Sequence, residues 1–121
     1  TTVGEDVKAF YEKTKGQKRN LIVVSTYHSF DKLKNIEEID LCTYDEAHTT
    51  TEDRFLDNIL LVMHKIKRNY FFTATRKISG DEGGMNDQEI YGDILIAISP
   101  TEAIEAGEIT MPRIHTISSE W

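Results

Sequence analysis

Two adjacent carboxylates and a nearby histidine are the side chains of this sequence best suited to chemistry. Asp45, Glu46 and His48 lie in the stretch IDLCTYDEAHTTT, which covers residues 39–51. Neighbouring carboxylates repel one another, and burying them unpaired is costly, but a divalent cation removes that objection. Mg²⁺ prefers oxygen ligands and is often held by one or two carboxylates together with substrate phosphates. We therefore predict that one carboxylate holds Mg²⁺ while its neighbour orients or deprotonates a water, as phosphoryl transfer requires.

Polar side chains also follow two other apolar runs. Ser25 and Thr26 come directly after LIVV, and Thr73 and Thr75 come after YFF. In open parallel sheets, ligands bind outside the carboxyl ends of the strands. The sequence therefore predicts that these residues and the carboxylate pair share one edge of a sheet.

The remaining histidines and the single cysteine favour structural roles over chemistry. No spacing among His28, His48, His64 and His115 resembles a zinc site, and we expect surface or hydrogen-bonded histidines. Cys42 lies inside a predicted strand, where a cysteine is usually a small buried hydrophobe rather than a nucleophile.

Short apolar and β-branched runs predict the strands that would position these residues. In chain order the predicted strands are Leu21–Ser25, Ile39–Tyr44, Asn69–Thr75, Ile94–Ser99 and Arg113–Ile117. The first of them is typical of a strand buried on both faces. Residues 76–93 are polar and rich in glycine, and we interpret them as a long, mobile connection.

Helices are predicted between the strands. The clearest has one apolar stripe and Thr50 or Thr51 as its cap. The residues of this stripe are Phe55, Ile59, Val62, Met63 and Ile66. Another helix should begin after Ser99, with Pro100 first, Glu102 completing a capping box and Gly107 ending it. Shorter helices are predicted at Val7, Phe10 and Tyr11, and after Ser29.

The alternation of strand and helix predicts a single α/β domain over residues 1–121, with a parallel sheet covered by helices on both faces. The chain is 39% hydrophobic and 29% charged, which allows a packed core. No apolar run approaches the roughly 20 residues of a membrane span. A net charge of −7 argues against a simple phosphate-binding module. One cysteine and no signal-peptide pattern favour an intracellular, reducing setting.

Several motifs of this chain resemble those of superfamily 2 helicases, in the same order. LCTYDEAH (41–48) resembles the Walker B segment, the DEAH-type motif II, and YFFTAT (70–75) resembles motif III. VVSTYHS (23–29) resembles the motif Ib region. YGDILIAISPTEAIEAGEI (91–109) resembles the segment that closes the first motor domain in helicases of the restriction-enzyme-subunit type.

This resemblance implies a RecA-like fold of the P-loop NTPase type, with ATP and Mg²⁺ bound in a longer parent protein and nucleic acid as its track. Asp45 would hold Mg²⁺, and Glu46 would position the attacking water. The resemblance also implies that His48 couples the nucleotide site to Thr73, Ala74 and Thr75, which would link hydrolysis to movement between motor domains. Ser25 and Thr26 would lie at the nucleic-acid backbone. The closing segment favours DNA over RNA.

One motif of the family is missing. The sequence contains no G-x-x-x-x-G-K-[ST] phosphate-binding loop, and neither KGQKRN nor GDEGGM has the required spacing. The second motor domain, with its arginine finger, is also absent. We therefore expect an incomplete first motor domain that is inactive as an ATPase alone. The missing loop-bearing strand would leave the edge of YFF open to self-association, unless the last predicted strand covers it.

Three readings remain open from the residues. The first is a helicase fragment, and the second is a degenerate helicase-like domain that binds a partner protein. A small Mg²⁺-dependent phosphatase is a third reading. It would need further carboxylates at neighbouring strand ends, and the sequence offers none there.

Overall fold

The computed structural model describes residues 4–17, 19–80 and 84–113. Its α-helices in these ranges are α1 (Gly4–Thr14), α2 (Asp53–Met63), α3 (Gln88–Tyr91) and α4 (Pro100–Glu105). Its strands are β1 (Cys42–Tyr44) and β2 (Asn69–Phe71), and 3₁₀ turns cover Tyr27–Asn35 and Ala47–Thr51. Over the same ranges, no helix has the length and apolar content that crossing a bilayer requires.

The two strands pair in parallel, joined through α2. Tyr44 lies opposite Phe71, and an isolated parallel bridge joins Ile39 to Ile66 before the strands begin. Parallel neighbours need a crossover connection, which the helix supplies. The predicted order of strand, helix and strand is therefore confirmed, although both strands are shorter than predicted. The described part of the chain is a mixed α/β structure with a two-stranded parallel sheet.

Helix α2 buries the predicted stripe. Ile59 and Val62 are 1% and 0% exposed, Phe55 is also buried, and Met63 is partly buried. This agreement follows from helical periodicity, which depends only on local spacing. Ile66 is buried too, but it lies beyond the end of α2, in the bridge with Ile39, so the predicted extension of the helix to this residue was wrong.

The predicted cap of α2 was wrong. Glu52 occupies the N-cap position without a side-chain cap bond. The hydroxyls of Thr50 and Thr51 instead donate to the carbonyls of Ala47 and His48, at 2.6 and 2.8 Å. These hydroxyls are satisfied within the preceding 3₁₀ turn, so they do not serve the helix end.

The core is built around β1 and α2. Its buried members are Phe30, Leu33, Ile36, Tyr44, Ala47, Ile59, Val62, Ile66 and Met85. Tyr44 is 2% exposed and stacks on the ring of Phe71 at a centroid distance of 4.4 Å. Its hydroxyl donates to the Asn69 side chain at 2.9 Å, which satisfies the one polar atom of a buried ring.

The segment from Arg76 to Asp93 is more than a connection. It contributes Met85 to the core, where the side chain is 7% exposed, and it contains α3. The Met85 amide donates to the Lys77 carbonyl at 2.8 Å, and the Arg76 guanidinium donates to the Met85 carbonyl at 3.1 Å. The mobility of this segment stays a prediction. Its polar composition gave no indication that Met85 would pack in the core.

The strands predicted at Leu21–Ser25 and Ile94–Ser99 are absent, and the prediction of a buried first strand was wrong. Both segments lack regular secondary structure. Ile22 is 84% exposed, Val24 94% and Ile96 82%. Their composition suits strands, but pairing needs a neighbouring strand edge, and among the described residues neither segment is paired.

Predictions for the remaining helices were partly confirmed. In α1, Val7 and Tyr11 pack against the core, while Phe10 is 53% exposed. The turn at Tyr27–Asn35 begins after Thr26, without a side-chain cap bond, so the predicted Ser29 cap was wrong.

Helix α4 has the predicted capping box. The Ser99 hydroxyl accepts from the Glu102 amide at 3.2 Å, and the Glu102 carboxylate accepts from the Ser99 amide at 2.7 Å. Pro100 opens the helix, and Gly107 follows it with a φ of +76°. Residues 114–117 of the last predicted strand lie outside the described residues.

Candidate functional site

Asp45 and Glu46 form the turn that follows β1. The Phe72 amide donates to the Tyr44 carbonyl, and the Ala47 amide donates to the Phe72 carbonyl, each at 2.8 Å. Backbone pairing therefore continues on both sides of the turn, which leaves the two carboxylates at the carboxyl end of the strand. This is the position that the sequence predicted for them.

The backbone of Glu46 is in the left-handed region, with φ 47° and ψ 47°. Among the described residues, it is the only one other than glycine with a positive φ. A side chain in this region costs roughly 1–2 kcal/mol, so the surrounding bonds must hold it. The Thr49 amide provides one of them by donating to the Glu46 carbonyl at 2.9 Å.

Both carboxylates face solvent. The Glu46 side chain is 65% exposed, and Asp45 is exposed as well. One carboxylate oxygen of Asp45 accepts from the Glu46 amide at 3.0 Å, which fixes the direction of the group.

This donor set fits Mg²⁺, which takes oxygen ligands and keeps several waters. In the ranges that the structure covers, no group of three or more His, Cys, Asp or Glu side chains is arranged to hold a metal ion. A cation at Asp45 would therefore complete its shell with waters and substrate oxygens.

His48 reaches the end of the neighbouring strand. Its Nδ1 lies 2.9 Å from the Thr73 hydroxyl oxygen and 3.4 Å from the Glu46 carboxylate. The Thr73 hydroxyl also donates to the Thr75 carbonyl at 3.0 Å and accepts from the Thr75 amide at 3.2 Å. Since the one hydroxyl proton goes to Thr75, the proton between His48 and Thr73 belongs to Nδ1.

The structure thus brings together His48, Thr73 and Thr75, which the sequence had predicted to act as a unit. Ala74, between the two threonines, is exposed. Their hydrogen bonds connect the turn after β1 to the turn after β2. The proposed role of these residues in coupling hydrolysis to movement stays a prediction.

Ser25 and Thr26 are exposed but do not end a strand. The Ser25 hydroxyl donates to the Thr26 carbonyl at 3.0 Å, and Thr26 precedes the first 3₁₀ turn. Their link to the carboxylates is made by the next residue, because the Tyr27 hydroxyl donates to the backbone carbonyl of Asp45. Burial, and secondarily the charge of Asp45, raises the pKa of Tyr27 to about 12.

Three residues at the site, Tyr27, Thr50 and Tyr91, were not predicted from the sequence to belong to it. Thr50 is fully buried, and its hydroxyl lies 2.8 Å from the hydroxyl of Tyr91 in α3. Tyr91 also packs edge-on against Phe71 at a centroid distance of 4.8 Å. The only sequence signal was the position of Tyr27 directly after two predicted site residues, since the other contacts join distant parts of the chain.

Cys42 is half-buried, and burial raises the pKa of its thiol. A neutral thiol is a poor nucleophile, so the interpretation of Cys42 as a packing residue agrees with its surroundings. His28 lies edge-on against the ring of Phe55 at a centroid distance of 4.7 Å, which gives it a packing role.

The arrangement offers two exposed carboxylates on a strained turn, beside a histidine bonded to a neighbouring strand end. This geometry suits cation binding and the positioning of a water molecule. Comparisons of the chain with protein-family models, with curated proteins and with solved structures found no match. The functional proposal below is therefore supported by residues and geometry alone.

Proposed function

We propose that this chain is the DEAH-bearing part of the first motor domain of a superfamily 2 helicase or translocase. The parent protein would hydrolyse ATP with Mg²⁺ and move along nucleic acid, with DNA favoured over RNA. The fold would be RecA-like, with β1 and β2 as neighbouring strands of a larger parallel sheet. The isolated chain would be inactive, because its sequence contains no G-x-x-x-x-G-K-[ST] loop to bind the phosphates.

The observation that carries this proposal is the contact between His48 Nδ1 and the Thr73 hydroxyl at 2.9 Å. It joins the last residue of the DEAH sequence to the first residue of the TAT sequence. The two sequences follow neighbouring parallel strands, so both are at one edge of the sheet. Strand pairing brings the two sequences close, and the specific support is that the histidine of one is hydrogen-bonded to the first threonine of the other.

The residues have distinct proposed roles. Bound Mg²⁺ would neutralise phosphate charge as it develops during phosphoryl transfer. The Asp45 carboxylate would hold the cation, and the Glu46 carboxylate would orient the attacking water and accept its proton. His48 would pass changes at Glu46 to Thr73, since its Nδ1 lies near both side chains.

The exposed apolar segments support an incomplete sheet. Leu21–Ser25 and Ile94–Ser99 have strand composition but no strand partner within the described ranges. Strands of a complete sheet are paired and covered, and a two-stranded sheet alone is marginal. In the proposed parent, a phosphate-loop strand beside β2 would extend the sheet, and these segments would join it.

The same exposure favours a second candidate, a helicase-like domain that binds another protein. Leu95, Ile96 and Ile98 are each more than 70% exposed, and such patches mark interaction surfaces. The two candidates differ in the chemistry of the carboxylates, because a binding module has no need for Glu46.

ATP hydrolysis by the parent protein tests the proposal. Glu46→Gln should lower nucleic-acid-stimulated phosphate release by at least about a hundredfold, because it removes the base and keeps the shape of the side chain. Glu89→Gln changes another exposed glutamate, on α3, and should leave the rate unaltered. Unchanged hydrolysis in the Glu46 variant would exclude the proposed role, and stimulation by DNA compared with RNA would identify the track.

The isolated chain provides a complementary test. Mg²⁺–ATP titrated to millimolar concentration should leave the amide resonances of residues 45–48 where Mg²⁺ alone leaves them, because nothing cradles the phosphates. Saturable shifts at these residues would show that the site binds nucleotide without the loop, and the proposal of an inactive fragment would fail.

A further inference from the structure

Contacts with α2 fix the orientation of Tyr27, whose hydroxyl reaches the turn formed by Asp45 and Glu46. Its ring packs against that of Phe55 at a centroid distance of 5.9 Å, and it lies partly buried against the core. The Asn58 side chain donates to the Tyr27 carbonyl at 3.3 Å. Both of these partners are on α2, so the tyrosine is fixed to the helix that crosses between β1 and β2.

The turn itself is held at three backbone positions. The Ala47 amide donates to the carbonyl of Phe72, the residue after β2, and the Glu46 carbonyl accepts from the Thr49 amide. The remaining position is the Asp45 carbonyl, which accepts from the Tyr27 hydroxyl. This last bond is the one made by a side chain from a different part of the fold, and it lies next to the strained Glu46 backbone.

We infer that Tyr27 is a positioning residue, which holds the Asp45 carbonyl and thereby sets the direction of the carboxylates at Asp45 and Glu46. Rotation of the peptide between these residues would change both carboxylate directions and the left-handed conformation of Glu46 together. The Tyr27 bond opposes that rotation. It also links the exposed Ser25 and Thr26 segment to the proposed cation site through the next residue of the chain.

The hydroxyl is suited to this role at ordinary pH. A tyrosine hydroxyl is protonated at ordinary pH, so Tyr27 is a donor to the Asp45 carbonyl. The inference that the turn is positioned for a cation rests on the proposed function, whereas the positioning of the turn itself does not.

Tyr27→Phe is the test, with Tyr91→Phe as its matched control. Each change removes one hydroxyl and one hydrogen bond, but the Tyr91 hydroxyl meets Thr50 instead of the turn. In Tyr27→Phe, amide hydrogen exchange at Glu46 and Ala47 should become about tenfold faster, as expected for one lost hydrogen bond. In Tyr91→Phe these two amides should keep their rates. Equal rates at Glu46 and Ala47 in wild type and Tyr27→Phe would overturn the inference.

Paramagnetic Mn²⁺ provides a readout that a merely structural role would not move. In the wild type, Mn²⁺ should broaden the amides of residues 45–47, and its affinity should fall about threefold to tenfold in Tyr27→Phe. Tyr91→Phe should retain wild-type affinity. An equal loss in both variants would assign Tyr27 a structural role only.

The same experiment separates the inference from the proposed function. Absence of Mn²⁺ broadening in the wild type would count against the proposed cation site. Exchange at Glu46 and Ala47 would still decide whether Tyr27 positions the turn. If Tyr27→Phe does not fold, the wild type is sufficient, because deuteration of the Tyr27 hydroxyl should shift the carbonyl carbon resonance of Asp45. No isotope shift at that carbon would overturn the inference.

Discussion

The His48 Nδ1 lies 2.9 Å from the Thr73 hydroxyl oxygen and joins the turns that follow two neighbouring parallel strands. The Thr73 hydroxyl is itself fixed by Thr75, which accepts its proton. As a result, Nδ1 of His48 is the donor in its contact with Thr73. The site thus includes an oriented histidine as well as its two carboxylates.

The first prediction concerns the energy of this contact. A double-mutant cycle of His48→Ala and Thr73→Val, measured by urea unfolding, should give a coupling energy of about 1 kcal/mol. His48→Ala with Thr51→Val is the matched control, because the Thr51 hydroxyl bonds to the backbone carbonyl of His48 and not to its ring. This control pair should be additive. Additivity in the first pair would mean that the His48 contact contributes nothing to stability.

The second prediction concerns the strained backbone of Glu46. Glu46→Gly should raise the free energy of unfolding by roughly 1 kcal/mol, because glycine adopts φ 47° without the cost of a Cβ. The same substitution at Glu52, where φ is −75°, should lower it by a few tenths of a kcal/mol or leave it unaltered. Chemical denaturation of both variants measures the difference. A Glu46→Gly variant that is less stable than the wild type would show that the conformation carries no strain.

The third prediction is a pH dependence. The pKa of Tyr27 is raised from 10.0 to about 12, so between these values the unfolded chain loses this proton while the folded chain keeps it. The contribution of Tyr27 to stability is therefore fully present below pH 10 and is lost as the pH rises through that window. The difference between wild type and Tyr27→Phe in phenolate absorbance should titrate near pH 12 in the folded chain. A difference that titrates at the ordinary pKa, as in the denatured chain, would contradict the burial of the Tyr27 hydroxyl beside Asp45.

The fourth prediction tests the anchor in the connection after β2. Met85→Ala should lower the free energy of unfolding by about 2–4 kcal/mol, because Met85 is 7% exposed in the core and the change leaves a cavity. Met111→Ala removes the same atoms from a side chain that is 76% exposed, and its effect should stay within about 0.5 kcal/mol. Urea unfolding compares them directly. Equal effects would mean that the connection is not packed as described.

Local signals made much of the architecture predictable. The stripe of α2 from Phe55 to Met63 and the capping box of α4 depend on residues three or four positions apart, and both are as predicted. The order of β1, α2 and β2 was also predictable, because apolar runs and helical periodicity alternate along the chain. The position of Asp45 and Glu46 at the end of β1 followed from that order.

The failures came where the outcome depended on distant partners. Leu21–Ser25 and Ile94–Ser99 have the composition of strands, but a strand exists only where another strand edge is available to pair with it. The capping prediction for Thr50 failed for a related reason, since its hydroxyl is used by Ala47 and Tyr91.

The sequence by itself determined the amphipathic helices, the helix cap of α4 and the placement of the carboxylates at a strand end. Each of these follows from spacing within one segment. The tertiary structure decided that Tyr27 bonds to the Asp45 carbonyl, that Met85 enters the core and that His48 meets Thr73. These contacts join segments far apart in the chain, and they form because folding brings together surfaces whose fit no local pattern encodes.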